Sequence, residues 1–241
     1  MKSKVYFKST GVKICGILNV PKKQKNKDFV MVFCHGWLTG KNSSKIAELS
    51  SKLTEKGINS FAFDFFGHGE SKGKLENISQ TIAVQNVKDA ASFLRKKGYK
   101  KFGLYGSSFG GGTATIFAAE NNLLSFLCLI STVTRWKSTW PKSQERLLKL
   151  KNNFAEKFSN DIKKYDYFAL GKKIKIPVLI VQGDKDTSTP LSGAKKLLKN
   201  IAGEKMMVII KNASHNYEKK KQREDIINAV FNFILYNLPK H

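Results

Sequence analysis

Apolar residues fall in short unbroken runs along the chain, at 30–34, 60–63, 102–105, 126–130, 178–181 and 206–210. Runs that are apolar on consecutive residues predict strands buried on both faces of a sheet. Two earlier stretches, around 5–7 and 12–20, alternate more and are separated by Ser9-Thr10-Gly11, which predicts an antiparallel hairpin at one edge. The total is about eight strands. Helical spacing appears between the runs: Ile46, Leu49 and Leu53 before Gly57, then Ile82, Val87, Ala90, Ala91 and Leu94 before Gly98. Each glycine is placed to stop its helix. Ile226, Ile227, Val230, Phe231 and Ile234 predict a last helix ending near Pro239. Strands alternating with helices define the α/β class, a mostly parallel sheet with helices on both faces.

One region breaks this rhythm. Residues 131–176 contain no good strand, yet Trp136, Trp140, Leu147, Leu148, Leu150, Phe154 and Phe158 are scattered among Lys, Arg and Glu at helix-compatible positions. A structureless loop of that length is uncommon inside a compact domain, so a mainly helical insertion over 132–175 is expected. The length of 241 residues suits one domain, 1–241, carrying that insertion.

Composition changes the picture in two ways. Lys and Arg number 43 against 18 Asp and Glu, a formal net charge of +25. The lysines are spread over nearly every segment, including Lys22-Lys23, Lys96-Lys97, Lys172-Lys173 and Lys219-Lys220-Lys221, with no recognised nucleic-acid motif. A generally solvated face is the economical reading, and no specific nucleic-acid partner is expected, although so large a charge keeps nucleic-acid association as an alternative to test. Cys15, Cys34 and Cys128 form no even framework and each lies in an apolar, strand-like stretch, which predicts buried free thiols in a reducing compartment. Residues 1–8 show no apolar signal-peptide region, and the most apolar stretch, 123–130, is too short for a bilayer span of about 20 residues. The expectation is a cytoplasmic protein without a membrane span.

The chemistry concentrates after the third predicted central strand. Gly106-Ser107-Ser108-Phe109-Gly110 follows the 102–105 run and leads into a helix-compatible segment, so G-x-S-x-G stands in the strand, sharp turn, helix context that an exposed nucleophile needs. A serine hydroxyl is a weak nucleophile until a base takes its proton. Four histidines are available: His35, His68, His215 and the terminal His241. His215 follows the last strand, at the carboxyl end where open α/β sheets hold ligands, and is the expected base. The acid should come between Ser108 and His215 at another strand end. Gly183-Asp184-Lys185-Asp186 offers two carboxylates, of which Asp186 is chosen, leaving Asp184 to bind local turn amides. His35-Gly36-Trp37 supplies a glycine turn, so the Trp37 and Phe109 amides could together form an oxyanion hole. His35 is expected to hold this turn by hydrogen bonding. The adjacent Cys34 raises a Cys-His pair, but an in-strand cysteine is usually a small buried hydrophobe.

With His35-Gly36, Gly106-x-Ser108-x-Gly110, Gly183-x-x-Asp186 and His215 in this order, the chain resembles the α/β-hydrolase superfamily over roughly residues 29–235. The loop from Asp64 through Gly67-His68-Gly69 to Ser71 is similar to that family's loop after its fourth strand, whose His and Ser are commonly structural. The stretch 63–77 resembles intracellular feruloyl and cinnamoyl esterases, with monoacylglycerol lipases and serine aminopeptidases as neighbours. The resemblance implies a cap at the insertion and a serine hydrolase of a small acyl ester: Ser108 as nucleophile, His215 as base, Asp186 as acid, and no metal or organic cofactor. His35, Gly36, Trp136 and Trp140 are the substrate-binding candidates, and Phe154 and Phe158 either join that pocket or form a small core of the cap. Thioesters, monoacylglycerols and small peptides are alternative substrates. A ligand-binding receptor or inactive scaffold on the same fold is the reading from outside enzymology.

Overall fold

A computed structural model describes residues 1–137 and 140–239. Eight strands form one sheet in the order β1-β2-β4-β3-β5-β6-β7-β8. The hairpin β1 (Lys2–Ser9) and β2 (Val12–Asn19) turns at Thr10 and Gly11, both at positive φ, and β2 pairs antiparallel with β4 (Asn59–Phe63). All other pairings, through β3 (Phe29–Cys34), β5 (Lys101–Ser107), β6 (Leu124–Ile130), β7 (Val178–Gly183) and β8 (Lys205–Ile210), are parallel. The expected mostly parallel sheet with a hairpin edge is what forms.

Helices cover both faces. Ile46, Leu49 and Leu53 of α1 (Ser44–Glu55) and Ile226, Ile227, Val230 and Ile234 of α8 (Lys220–Asn237) pack on one side of the sheet. Val87, Ala90 and Leu94 of α2 (Gln80–Lys96), Ala114 and Phe117 of α3 (Phe109–Glu120) and Leu197 of α7 (Leu191–Asn200) pack on the other. Gly57 and Gly98 lie at positive φ just beyond α1 and α2, where a residue with a side chain would be strained. The insertion folds as α4 (Trp140–Leu147), α5 (Phe154–Ile162) and α6 (Tyr167–Gly171). One strand departs from expectation. In β8, Met206 and Ile209 are exposed, because β8 is the last strand and has only β7 as a neighbour. An apolar run therefore did not guarantee burial on both faces.

Parallel register brings the carboxyl ends of the central strands level, Cys34 beside Gly106, Ser107 beside Ile130, and Ile130 beside Val181. The chain segments that follow β3, β5, β7 and β8 consequently meet along one edge.

Candidate active site

Ser108 sits on the turn from β5 into α3 with φ 51° and ψ −113°, a backbone conformation disfavoured for any residue with a side chain. Surrounding bonds hold it there: its N–H donates to the Ile130 carbonyl at 2.9 Å, and its carbonyl accepts from the amides of Gly111 and Gly112. Both flanking glycines are required sterically. A Cβ at Gly106 would lie 2.5 Å from the Gly110 carbonyl oxygen, and one at Gly110 would run into the carbonyls of Cys34 and His35.

The structure brings the three expected residues together. Ser108 Oγ is 3.0 Å from His215 Nε2, and His215 Nδ1 is 2.8 Å from Asp186 Oδ2. In the tautomer this network selects, Nδ1–H donates to the carboxylate and Nε2 accepts from the serine hydroxyl. Asp186 receives four further hydrogen bonds. The Ser188 and Thr189 amides donate to Oδ1 at 2.9 and 2.8 Å, and Gln182 Nε2 and Thr189 Oγ1 donate to Oδ2 at 3.0 and 2.7 Å. Burial alone would raise the Asp186 pKa, but the hydrogen bonds from His215 and Thr189 outweigh it and hold the carboxyl at about 2. Asp184 takes no part: it is exposed, and the turn amides assigned to it in the sequence are bound by Asp186 instead. The reason is direction, since the turn aims residue 186 inward at its own following amides.

Two residues whose part the sequence did not reveal, Tyr217 and Gln182, brace this corner. Tyr217 Oη lies 2.6 Å from Ser131 Oγ and accepts the Gly183 N–H at 3.1 Å, tying the loop after β8 to those after β6 and β7. Gln182 joins Asp186 to the Thr189 carbonyl. Asp186 followed by Ser188 and Thr189 is an Asx-type turn pattern that could have been recognised; the Tyr217 contact is long-range and left no local sign.

His35 is buried with both ring nitrogens engaged. Nδ1–H donates to the Gly36 carbonyl at 2.7 Å, and Nε2 accepts the Phe65 N–H at 3.0 Å. Burial, reinforced by His68 alongside, lowers its pKa to about 3 against the pull of the Gly36 bond, so the ring stays neutral and structural. Burial likewise pushes the Cys34 thiol up, which removes the thiolate a Cys-His pair would need. The loop of Asp64 and Ser71 is knit together: Ser71 Oγ donates to the Asp64 carbonyl at 2.6 Å, and the His68 ring stacks on Phe109 and meets Trp37 edge-on. His241 lies outside the described residues. Among the described residues, the Trp37 and Phe109 amides have no hydrogen-bond acceptor, and no group of three or more His, Cys, Asp or Glu is arranged to hold a metal.

A cavity of about 280 Å³ opens at Ser108 and His215, walled by Trp37, Phe109, Val133, Trp136 and Trp140, with Arg135 and Lys137 among its lining. Trp37 ties it to the insertion, its ring meeting Trp140 edge-on and its Nε1–H donating to Gln144 Oε1 at 3.0 Å. Trp136 Nε1–H donates to Tyr167 Oη at 3.2 Å. The four insertion aromatics divide: Trp136 and Trp140 face the cavity, whereas Phe154 and Phe158 are fully buried behind them. A second pocket, lined by His35 and Gly36 among others, lies beside Ser108 toward the start of α1. A serine, a histidine and an aspartate in one hydrogen-bonded line, beside an apolar cavity and two amides without acceptors among the described residues, form an arrangement of the kind that acyl transfer through a covalent intermediate requires.

The chain belongs to the alpha/beta hydrolase fold family, whose model matches residues 30–173. It is similar to a serine hydrolase-like protein of Dictyostelium discoideum, 37% identical over 113 residues that make up 46% of this chain and 29% of that protein. It is also similar to an acyl transferase of Photobacterium leiognathi, 27% identical over 160 residues, 64% of this chain and 50% of the relative. The chain thus spans half or less of these curated relatives. Among solved structures, Est1E from Butyrivibrio proteoclasticus with ferulic acid bound superposes with a TM-score of 0.83 at 23% identity, covering 98% of this chain and 100% of that one. That likeness establishes the fold. Among the described residues, no helix is long and apolar enough to cross a membrane.

Proposed function

We propose that the chain is a serine hydrolase that cleaves small carboxylic esters through an acyl-enzyme. The observation that carries this reading is the unbroken hydrogen-bonded line from Ser108 Oγ through His215 to Asp186 at the mouth of the cavity. Ser108 attacks the acyl carbon while His215 Nε2 takes its proton, and Asp186 keeps the imidazole in the accepting tautomer and stabilises the imidazolium. The Trp37 and Phe109 amides, without another acceptor among the described residues, receive the developing oxyanion. His215 then returns the proton to the leaving alcohol, and water releases the acid by the same steps in reverse order.

Residues 132–175 act as a cap whose Trp136 and Trp140 select the substrate group in the cavity. Their aromatic surface favours an aryl or short apolar group. The ferulic acid held by Est1E makes a hydroxycinnamoyl ester the first substrate to try. The three buried free thiols support a cytoplasmic setting.

A fluorophosphonate probe tests the reading directly. It should label Ser108, mapped by peptide sequencing, and the folded Ser108→Ala variant should neither label nor turn over an ester. Labelling elsewhere, or normal turnover in Ser108→Ala, refutes the assignment. A panel of hydroxycinnamoyl, monoacylglycerol, thioester and aminoacyl-amide substrates then ranks the leaving groups.

A further inference from the structure

The second pocket, about 230 Å³, differs in chemistry from the tryptophan-lined cavity although both reach Ser108 and His215. Its wall is the first turn of α1, Ser43 through Ile46, facing Tyr105 and Asn216. Among the described residues no carboxylate lines it. Three features there lack a partner. First, the amides of Ser44, Lys45 and Ile46 have no acceptor among the described residues, and Ser43, at the N-cap, makes no capping bond with its side chain. Second, Lys45 stands in that same first turn, where the helix dipole already presents positive charge. No carboxylate pairs with it among the described residues; its Nζ lies 5.2 Å from the centre of the Tyr217 ring. Burial and the nearby Arg223 push its pKa down, the mark of a cation without its counter-charge. Third, Tyr105 is 2% exposed, and among the described residues its buried hydroxyl meets only the Ser107 side chain, without a well-formed hydrogen bond. A buried hydroxyl left unpaired is costly, and a bound acceptor would relieve it.

We propose that this pocket binds an anionic group, a carboxylate or a phosphate, carried on the part of the substrate that lies across the reacting carbonyl from the aromatic cavity. Lys45, the first amides of α1 and the Tyr105 hydroxyl are its donors. The inference rests on the ester-hydrolase reading and narrows its substrate class to esters that are apolar on one side and acidic on the other. A helix start with free amides is a ready anion site, and here it lies beside the nucleophile rather than on a remote surface.

Two measurements decide it. In the first, calorimetric titration of the Ser108→Ala chain with inorganic phosphate and with succinate reads binding without turnover, and the stronger ligand identifies which anion the pocket suits. Adding Lys45→Met should weaken the preferred anion by about tenfold or more, the size expected for one charge-assisted contact, and Lys45→Arg should retain it. In the second, kcat/KM is compared for the 3-phenylpropanoyl ester of glycolate and that of glycolamide. The ratio of acidic to neutral substrate should fall about tenfold in Lys45→Met and invert in Lys45→Glu. Equal anion affinity in Lys45→Met and Lys45→Arg would mean that the many surface lysines do the binding, and would overturn the proposal; so would an unchanged substrate ratio. A wild-type chain that hydrolyses neither ester counts against the hydrolase reading alone, because the titration still decides the pocket.

Discussion

Asp186→Asn changes one atom type in a nearly fixed volume, and the surrounding donors dictate the outcome. Five hydrogen bonds converge on the Asp186 carboxylate, two backbone N–H groups on Oδ1 and Gln182, Thr189 and His215 on Oδ2. An asparagine must put its NH2 on one side. On the Oδ1 side it would face two backbone donors that cannot turn away. On the Oδ2 side the Thr189 hydroxyl can rotate and the imidazole can change tautomer, which leaves the Gln182 amide as the one opposing donor against two fixed backbone N–H groups on the other side, so that is where the NH2 goes. Nδ1 of His215 then accepts, Nε2 carries the proton, and the atom 3.0 Å from Ser108 Oγ can no longer take one. The chemical step should fall by about 10⁴-fold. Stability responds as well. A carboxyl held at about 2, against about 3.9 in an unfolded chain, contributes roughly 2 to 3 kcal/mol at neutral pH. Because the folded pKa is the lower one, that contribution is full above about pH 5 and drains away as pH falls toward 2. Asparagine does not titrate. Urea unfolding of both proteins at pH 7, 5, 4 and 3 should therefore show a gap of about 2 kcal/mol that narrows with acid, while steady-state kinetics on a neutral ester reads the chemical loss. Turnover within tenfold of wild type in a folded variant, or a stability gap that ignores pH, would refute this account of the corner.

Gly110→Ala should destabilise the protein by about 2 kcal/mol or more and abolish turnover, since its Cβ would meet the Cys34 and His35 carbonyls and neither strand end can yield; thermal melts with an activity assay check this. His35→Leu strands the Phe65 N–H and should cost about 1 to 3 kcal/mol at pH 7. Since the folded His35 pKa is about 3, the wild-type advantage should be full above about pH 6.5 and shrink below it, readable by urea titration at several pH values. Trp140→Ala should lower kcat/KM for a hydroxycinnamoyl ester about tenfold relative to an acetyl ester, whereas Phe158→Ala should cost about 3 to 5 kcal/mol of stability with less effect on that ratio.

What could be read in the sequence was whatever the backbone itself demands. Strands buried on both faces must be apolar on successive residues, so β3 to β7 announced themselves; β8 carries the same pattern yet stands at the edge, because how many neighbours a strand has is not written in the strand. The turn at Ser108 tolerates only glycine at 106 and 110, which made that turn legible, and chain order with strand ends pointed to His215 and Asp186 as the residues that meet it. Periodicity failed where two environments ask for the same residue. Trp140 at the cavity and Phe158 behind it both need apolar surroundings, so only packing separates them. The polar contacts were the least visible. Gln182 and Tyr217 reach the Asp186 corner from a strand and from the loop after another, and Ser43, Lys45 and Tyr105 converge on one pocket from a helix start and a strand about sixty residues away. Each of these looks like an ordinary surface or core residue in its own segment. Specificity built from such long-range convergence can diverge while every motif that marks the fold stays in place, which is why the fold is far better marked in this chain than its substrate.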